Sequence, residues 1–274
     1  SYDMKHTVRR IVDRYRYSVI LLKRLVATDF KVRYQGSFLG YLWSLLKPLA
    51  LFLILYVVFV RFLKVGGSTP HFPVYLLLGI VLWNFFTEIT MGSVGSIVAK
   101  GDLIRKINFP KYIIVLSGSL SALINLGLNF IVVFFFIIIS GVELHRSALW
   151  MPFLIMELFI FSIAIAFYLS ALYVKFRDAT YIWEVIIQGA FYATPILYPV
   201  SMVPISAAKI LLLNPVAQII QDARYVLITD KTTTISDIYG SSRYRLIPIF
   251  ITIGIAICAA RYFRKNSRSF AENV

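Results

Sequence analysis

RYQGSFLGYLWSLLKPLALFLILYVVFVRF, residues 33–62, decides the class of this chain. From Leu39 to Phe62 a single charge, Lys47, stands before Arg61, and the stretch is longer than the roughly 20 residues that cross a hydrocarbon core. Drawn as a helix at about 100° per residue, it gathers Tyr34, Phe38, Tyr41, Phe52, Tyr56 and Phe59 on one face. Gly36, Gly40, Trp43 and Lys47 fall on the other, where the glycines would let a neighbouring helix approach closely. Pro48 divides the aromatic stripe into an inner and an outer group, and a kink there would rotate them apart.

The rest of the chain has the same solvent. Its 274 residues are 59% hydrophobic and 15% charged, with a mean hydropathy of +0.78. Soluble domains run nearer 45–50% apolar. The expected fold is therefore an all-α integral membrane protein, since in lipid the backbone must satisfy its own polar groups. Six spans are predicted, at about 39–62, 73–98, 112–140, 150–174, 180–198 and 246–263. The fifth is the shortest and is interrupted by Gln188 and Pro195.

Charge gives the orientation. With the N-terminus inside, the inside segments hold nine, four, two and four Lys and Arg, against two, one and five outside. Both termini are thus predicted to be cytoplasmic. The net charge of +15 reads as a membrane-face signature, and no nucleic-acid partner is expected. Residues 1–38 hold no uninterrupted apolar core that would make a cleavable signal. Cys258 is the one cysteine, which excludes an intrachain disulfide and a thiol metal cluster. His6, His71 and His145 are scattered without paired carboxylates, so no catalytic or metal site is expected and the chain is not read as an enzyme.

Before the first span, Val8, Ile11, Tyr15, Val19, Leu22, Val26 and Phe30 recur at threes and fours among Arg9, Arg10, Arg14, Arg16, Lys23 and Arg24. This pattern predicts an amphipathic helix in the cytoplasmic interface, its cations near anionic lipid, ending near Thr28 or Asp29. Between spans two and three, AKGDLIRKINFPK sets Leu103, Ile104 and Ile107 among Asp102, Arg105 and Lys106. It is either an ordinary cytoplasmic turn or a short helix that docks in a groove of a soluble partner.

Inside the spans, Asn84, Glu88, Met91 and Gly95 stack on one face, and Glu88 either bonds a neighbouring helix or serves transport. Ser117, Ser121 and Asn125 favour helix contacts in span three. Tyr181, Glu184, Gln188, Phe191, Pro195 and Tyr198 make a mixed polar and aromatic stripe that suits a wet passage better than lipid. Residues 199–227 contain two apolar pieces separated by Asn214 and Pro215, each too short to cross, and predict a re-entrant helical pair. A polar external loop follows from Thr229 to Arg245, and residues 264–274 form a basic tail.

Taken in order, KVRYQGSFLGYLWSLLKPL, DLIRKINFPK, VKFRDATYIWEV, TPILYP and the Asn214, Pro215 pair resemble the membrane subunits of ABC exporters for bacterial cell-surface polysaccharides. These are the O-antigen and teichoic acid permeases of the ABC-2 class. Lys47 departs from the pattern, which has a neutral residue ahead of Pro48. The resemblance implies a permease in the cytoplasmic (inner) membrane that exports a polyprenyl-diphosphate-linked glycan. Two copies would line one path, driven by two separate ATP-binding subunits that carry the ATP and magnesium. The absence of any GxxxxGK[ST] phosphate loop agrees.

Residue by residue, Asp102, Leu103, Ile104, Arg105, Lys106 and Ile107 would form the coupling helix. Tyr34, Phe38, Tyr41, Phe52, Tyr56, Phe59, Glu184, Gln188, Phe191 and Tyr198 would line the channel, and Lys31 and Arg33 would meet diphosphate or the interface. A proton-coupled secondary transporter or lipid-linked oligosaccharide flippase, with Glu88, Glu157 or Glu184 as titrating groups, is the alternative.

Overall fold

A computed structural model describes residues 2–273, with side chains from residue 15 to residue 272. Among these the regular structure is all helical. Five helical stretches are long and apolar enough to cross a membrane: Gly40–Phe62, Phe72–Val94, Tyr112–Ile139, Arg146–Lys175 and Ser242–Glu272.

Helix α1 (Tyr2–Tyr34) runs straight past Thr28 and Asp29, where a break was predicted. Val8, Ile11, Arg9, Arg10 and Arg14 of the expected amphipathic stripe lie outside the described side chains. Farther along, Leu21, Leu22 and Leu25 pack on the protein core, and α1 lies along α6 (Tyr112–Ile139). The apolar face of α1 thus meets protein at Leu21, Leu22 and Leu25, while Tyr15 of the same stripe is exposed.

The opening stretch is not one helix. After α1 the chain turns through Gly36 and Gly40, at φ +79° and +51°, before α2 (Trp43–Leu55) and a π-helical turn over Tyr56–Phe62. Both glycines occupy the left-handed region that a side chain disfavours, and neither has a neighbouring atom within 4 Å of a Cβ position. Their role is therefore conformational, and the close helix packing expected of them is absent.

Helix α3 (Phe72–Val94) is the axis of the bundle. Val74, Leu76, Leu78, Ile80 and Leu82 are fully buried, so the helix is enclosed on all sides. It is continued by α4 (Ser96–Ala99) and α5 (Gly101–Lys106). Around it stand α2, α6, α7 (Met151–Lys175) and α8 (Ala179–Ala193), while α12 (Leu246–Asn266) packs outside α7. The final short helix, α13 (Phe270–Asn273), returns to α5 and buries Phe270 against Phe263, ring centroids 5.4 Å apart.

The fifth predicted span differs most from expectation. Helix α8 has 15 residues, about 22 Å of rise, and ends at Thr194, whose extended backbone suits the residue before a proline. The two short apolar pieces after it are α9 (Ile205–Leu211) and α10 (Pro215–Leu227). Asn214 caps α10 by accepting from the Val216 N–H at 3.0 Å, and Pro215 occupies the first turn, which needs no donor. The polar stretch read as a loop is partly ordered by α11 (Ile235–Tyr239), which a Thr234–Asp237 capping box starts and which packs on α9.

At the N-terminal end of α3, α10 and the segment after α8 are held by Arg224 of α10, which is fully buried. Its Nε donates to the Tyr75 carbonyl at 3.0 Å, Nη1 to the Pro195 carbonyl at 2.5 Å and Nη2 to the Ile196 carbonyl at 2.7 Å. The guanidinium also lies 3.8 Å from the centre of the Tyr75 ring. Gly79, one turn along α3, leaves the space it fills: a Cβ there would overlap the guanidinium, which its three carbonyl bonds prevent from moving away. Gly79→Ala should therefore destabilise the purified protein by about 1–3 kcal/mol. Gly92→Ala in the same helix meets nothing within 4 Å and should be neutral or slightly stabilising. Thermal unfolding in detergent checks both, and equal midpoints for the two variants would contradict the Arg224 lock.

Candidate functional site

The opposite end of α3 carries a polar seam that joins four helices. Glu88 of α3 pairs with Arg33 in the last turn of α1 and accepts from Asn125 Nδ2 of α6 at 2.8 Å. Asn129, one turn farther along α6, donates to the Asn125 carbonyl at 2.9 Å and to the Ser44 carbonyl of α2 at 3.3 Å. A second pair lies beside the first: Lys100 Nζ sits 2.8 Å and 3.1 Å from the two oxygens of Asp29, and Ser117 Oγ donates to Asp29 at 3.3 Å. A cavity of about 230 Å³ opens among Asp29, Arg33, Glu88 and Lys100.

The chemistry follows from the surroundings. A carboxylate within an apolar bundle is stable only when its charge and lone pairs are met. Glu88 has both a guanidinium and an amide, which is the neighbouring-helix bond offered as one reading of it. Arg33, expected to meet diphosphate or the interface, is committed to Glu88, while Lys31 is exposed. Asp29, Lys100 and Asn129 were missed as members of this site. The available signal was the cost of a polar residue on a face otherwise made of Leu22, Leu25 and Val26.

Lys100 immediately precedes α5, so the Asp29 pair ties α1 to the root of that helix. Within α5, Ile104 is 4% exposed and belongs to the core, as does Phe109 just beyond. Leu103 is half-buried, and Asp102, Arg105, Lys106 and Ile107 face outward, with Arg105 donating to Asp102 at 2.7 Å. The surface open to a partner is therefore the charged edge with Ile107.

The aromatic stripe of the opening stretch separates into two clusters. Tyr41 stacks on Phe30 at 5.1 Å and meets Tyr34 edge-on at 5.5 Å, all near the end of α1. Phe52 packs against Tyr56 at 5.9 Å and Phe136 of α6 at 5.8 Å and is 4% exposed. Phe59 is half-buried, and Phe38 projects from the Gly36 turn fully exposed. On α8, Tyr181, Glu184 and Gln188 are exposed together with Ile182, Val185 and Tyr192. Phe191 turns inward to Trp83 at 6.0 Å, and the half-buried Tyr198 donates to the Ala193 carbonyl at 2.8 Å. The described residues thus place Glu184 and Gln188 side by side on an open face, with Phe191 and Tyr198 at its edge.

Comparisons with known proteins agree with this architecture. Residues 20–228 match the family described as ABC-2 type transporter. The O-antigen export system permease protein RfbA of Klebsiella pneumoniae is 30% identical, over 99% of each chain. RfbA of Myxococcus xanthus is 24% identical over 97% of this chain and 100% of its own. The polysialic acid transport protein KpsM of Escherichia coli is 23% identical over 88% and 93%. An enclosed central helix, apolar helices around it and a family match over most of the length lead to one conclusion: the chain is a membrane subunit of the ABC-2 type transporter family.

Proposed function

We propose that this chain is the channel-forming subunit of an ABC exporter for a cell-surface polysaccharide carried on polyprenyl diphosphate. The observation that carries the reading is the open face of α8. Glu184 and Gln188 stand exposed on a helix among lipid-compatible neighbours, and a charged side chain in hydrocarbon is costly, by up to about 2.5–3.5 kcal/mol at the bilayer centre even on lenient scales. That face therefore meets water or a second copy of the chain. Two copies with their α8 faces turned together enclose a passage whose exposed tyrosines, Tyr181 and Tyr192, stack weakly on sugar rings and let them slide. Relatives named for O-antigen export and polysialic acid transport support a glycan as cargo.

In this reading α8 and the extended segment after it complete a sixth crossing in the cytoplasmic (inner) membrane. Both termini then lie in the cytoplasm, with α1 near the interface and α9 and α10 forming a re-entrant pair that caps the outer end. Two ATP-binding subunits, holding ATP and magnesium, bear on the outward edge of α5. Their stroke passes through Lys100 to Asp29 and along α4 into α3, shifting the population between closed and open passages. Lys31 remains free to meet the diphosphate, and Arg33 keeps its pairing with Glu88.

Three outcomes follow. Lys106→Glu with Ile107→Asp should lower ATP-driven glycan export about tenfold, a coupling free energy of about 1.4 kcal/mol, while the chain still folds. Ile104→Asp should instead lower the amount of folded chain, because it buries a charge. Export in reconstituted vesicles and copurification of the ATP-binding subunit separate these effects. Unaltered export in the double variant would remove α5 from the coupling path. Tyr41→Ala, Tyr56→Ala and Phe59→Ala combined should reduce export with ATP hydrolysis retained, and full export would deny these aromatics a place in the passage.

A further inference from the structure

Beside the Arg224 lock, a crevice of about 600 Å³ opens between α7, α10 and α12. Its walls are mostly apolar, with Phe153, Ile160 and Ile253 exposed along them. Its polar end is unusual for a surface facing hydrocarbon. Gln218, 2% exposed, and Asp222, 4% exposed, bond each other at 2.5 Å, and Arg245 Nη2 reaches Asp222 at 3.3 Å. Three buried atoms there have no hydrogen-bond partner among the described residues: Glu157 Oε1, Gln218 Oε1 and Arg245 Nε. Two are acceptors and one is a charged donor.

This pattern specifies an occupant. Acceptors on Glu157 and Gln218 call for a cation with N–H groups, and the Arg245 N–H calls for an anionic oxygen close by. The apolar wall calls for a hydrocarbon chain attached to both. Arg245 immediately precedes α12 and Glu157 lies six residues into α7, about 9 Å from its start, so the polar end lies toward one membrane face rather than at the midplane. Trp150 stands at the rim, as aromatic residues do at a membrane interface.

We infer that the crevice binds a phospholipid with a primary-ammonium headgroup, of the phosphatidylethanolamine type. Its ammonium donates to Glu157 and Gln218, its phosphodiester accepts from Arg245, and one acyl chain lies along Phe153 and Ile253. A trimethylammonium headgroup has no N–H to donate, and a glycerol headgroup has no cation. The site therefore selects by headgroup at equal chain length. The inference does not depend on what the transporter exports, and its assay reads lipid retention alone.

The test uses the full transporter with its ATP-binding subunit, exchanged into equal amounts of phosphatidylethanolamine, phosphatidylcholine and phosphatidylglycerol of the same chains. Retained lipid is then counted by native mass spectrometry. Wild type should keep phosphatidylethanolamine about tenfold over phosphatidylcholine, the equivalent of one hydrogen bond to a charged group. Glu157→Gln should erase the preference, and Ile253→Trp, which narrows the groove but leaves the polar end intact, should lower retention. Equal retention of the three lipids by wild type, or an unchanged preference in Glu157→Gln, overturns the proposal. So does efficient crosslinking between copies through Phe153→Cys in a Cys258→Ser background, because a second copy would then occupy the crevice.

Discussion

A single buried guanidinium sets the geometry of one half of this protein. Removing Arg224 from water is costly, and the carbonyls of Tyr75, Pro195 and Ile196, the Gln221 side-chain oxygen at 3.1 Å and the Tyr75 ring offset it. Arg224 and those partners belong to three separate stretches of chain. The start of α3, the end of the α8 segment and α10 must meet at one point, or the charge is left unpaired. Gly79 makes the meeting possible by leaving out a side chain. The short helix α10 acquires a fixed place because of that bond set, while α9 packs with α11 in a separate cluster.

The other end of α3 is organised on a different principle. There the ion pairs are between side chains, partly exposed, and join α1 to α3 and to Lys100 at the start of α5. Such pairs contribute little to stability but specify arrangement, and they can exchange partners more easily than a fully buried cation can. A rigid lock at one end of α3 and an adjustable seam at the other suit the proposed role of α3 as the helix that would carry movement from α5. Ile104 and Phe109 fix α5 to the core, so force applied to its outward edge reaches α3 and α6 without a loose joint.

Much of the architecture could be read from residue types. Membrane residence, the extents of α6, α7 and α12 and the Asn214 cap follow from hydrophobic runs and local turn chemistry. The departures share one cause, which is that the deciding partner is remote or is backbone. Arg224 bonds to carbonyls 28, 29 and 149 residues away, and a sequence displays side chains but not which carbonyls converge. The aromatic stripe of residues 33–62 assumed an unbroken helix, whereas the chain turns at Gly36 and Gly40, between Tyr34 and Tyr41. Asp29 resembled a helix breaker because such residues compete for backbone bonds, and here Lys100 and Ser117 occupy it instead. The α8 stripe was legible in part: Tyr181, Glu184 and Gln188 share an open face as their helical spacing suggested, whereas Phe191 turns inward and Pro195 and Tyr198 lie beyond the end of the helix.

The central claim is that the Glu184 and Gln188 face of α8 borders water inside the membrane. Because Cys258 is the one native cysteine, its replacement by serine gives a clean background for single cysteines. In the assembled transporter in vesicles, Gln188→Cys should react with a charged, water-soluble maleimide many times faster than Ile131→Cys, an exposed apolar position within the span of α6. Excess exported glycan should slow the Gln188→Cys reaction. Labelling of the two positions at the same slow rate would contradict the account.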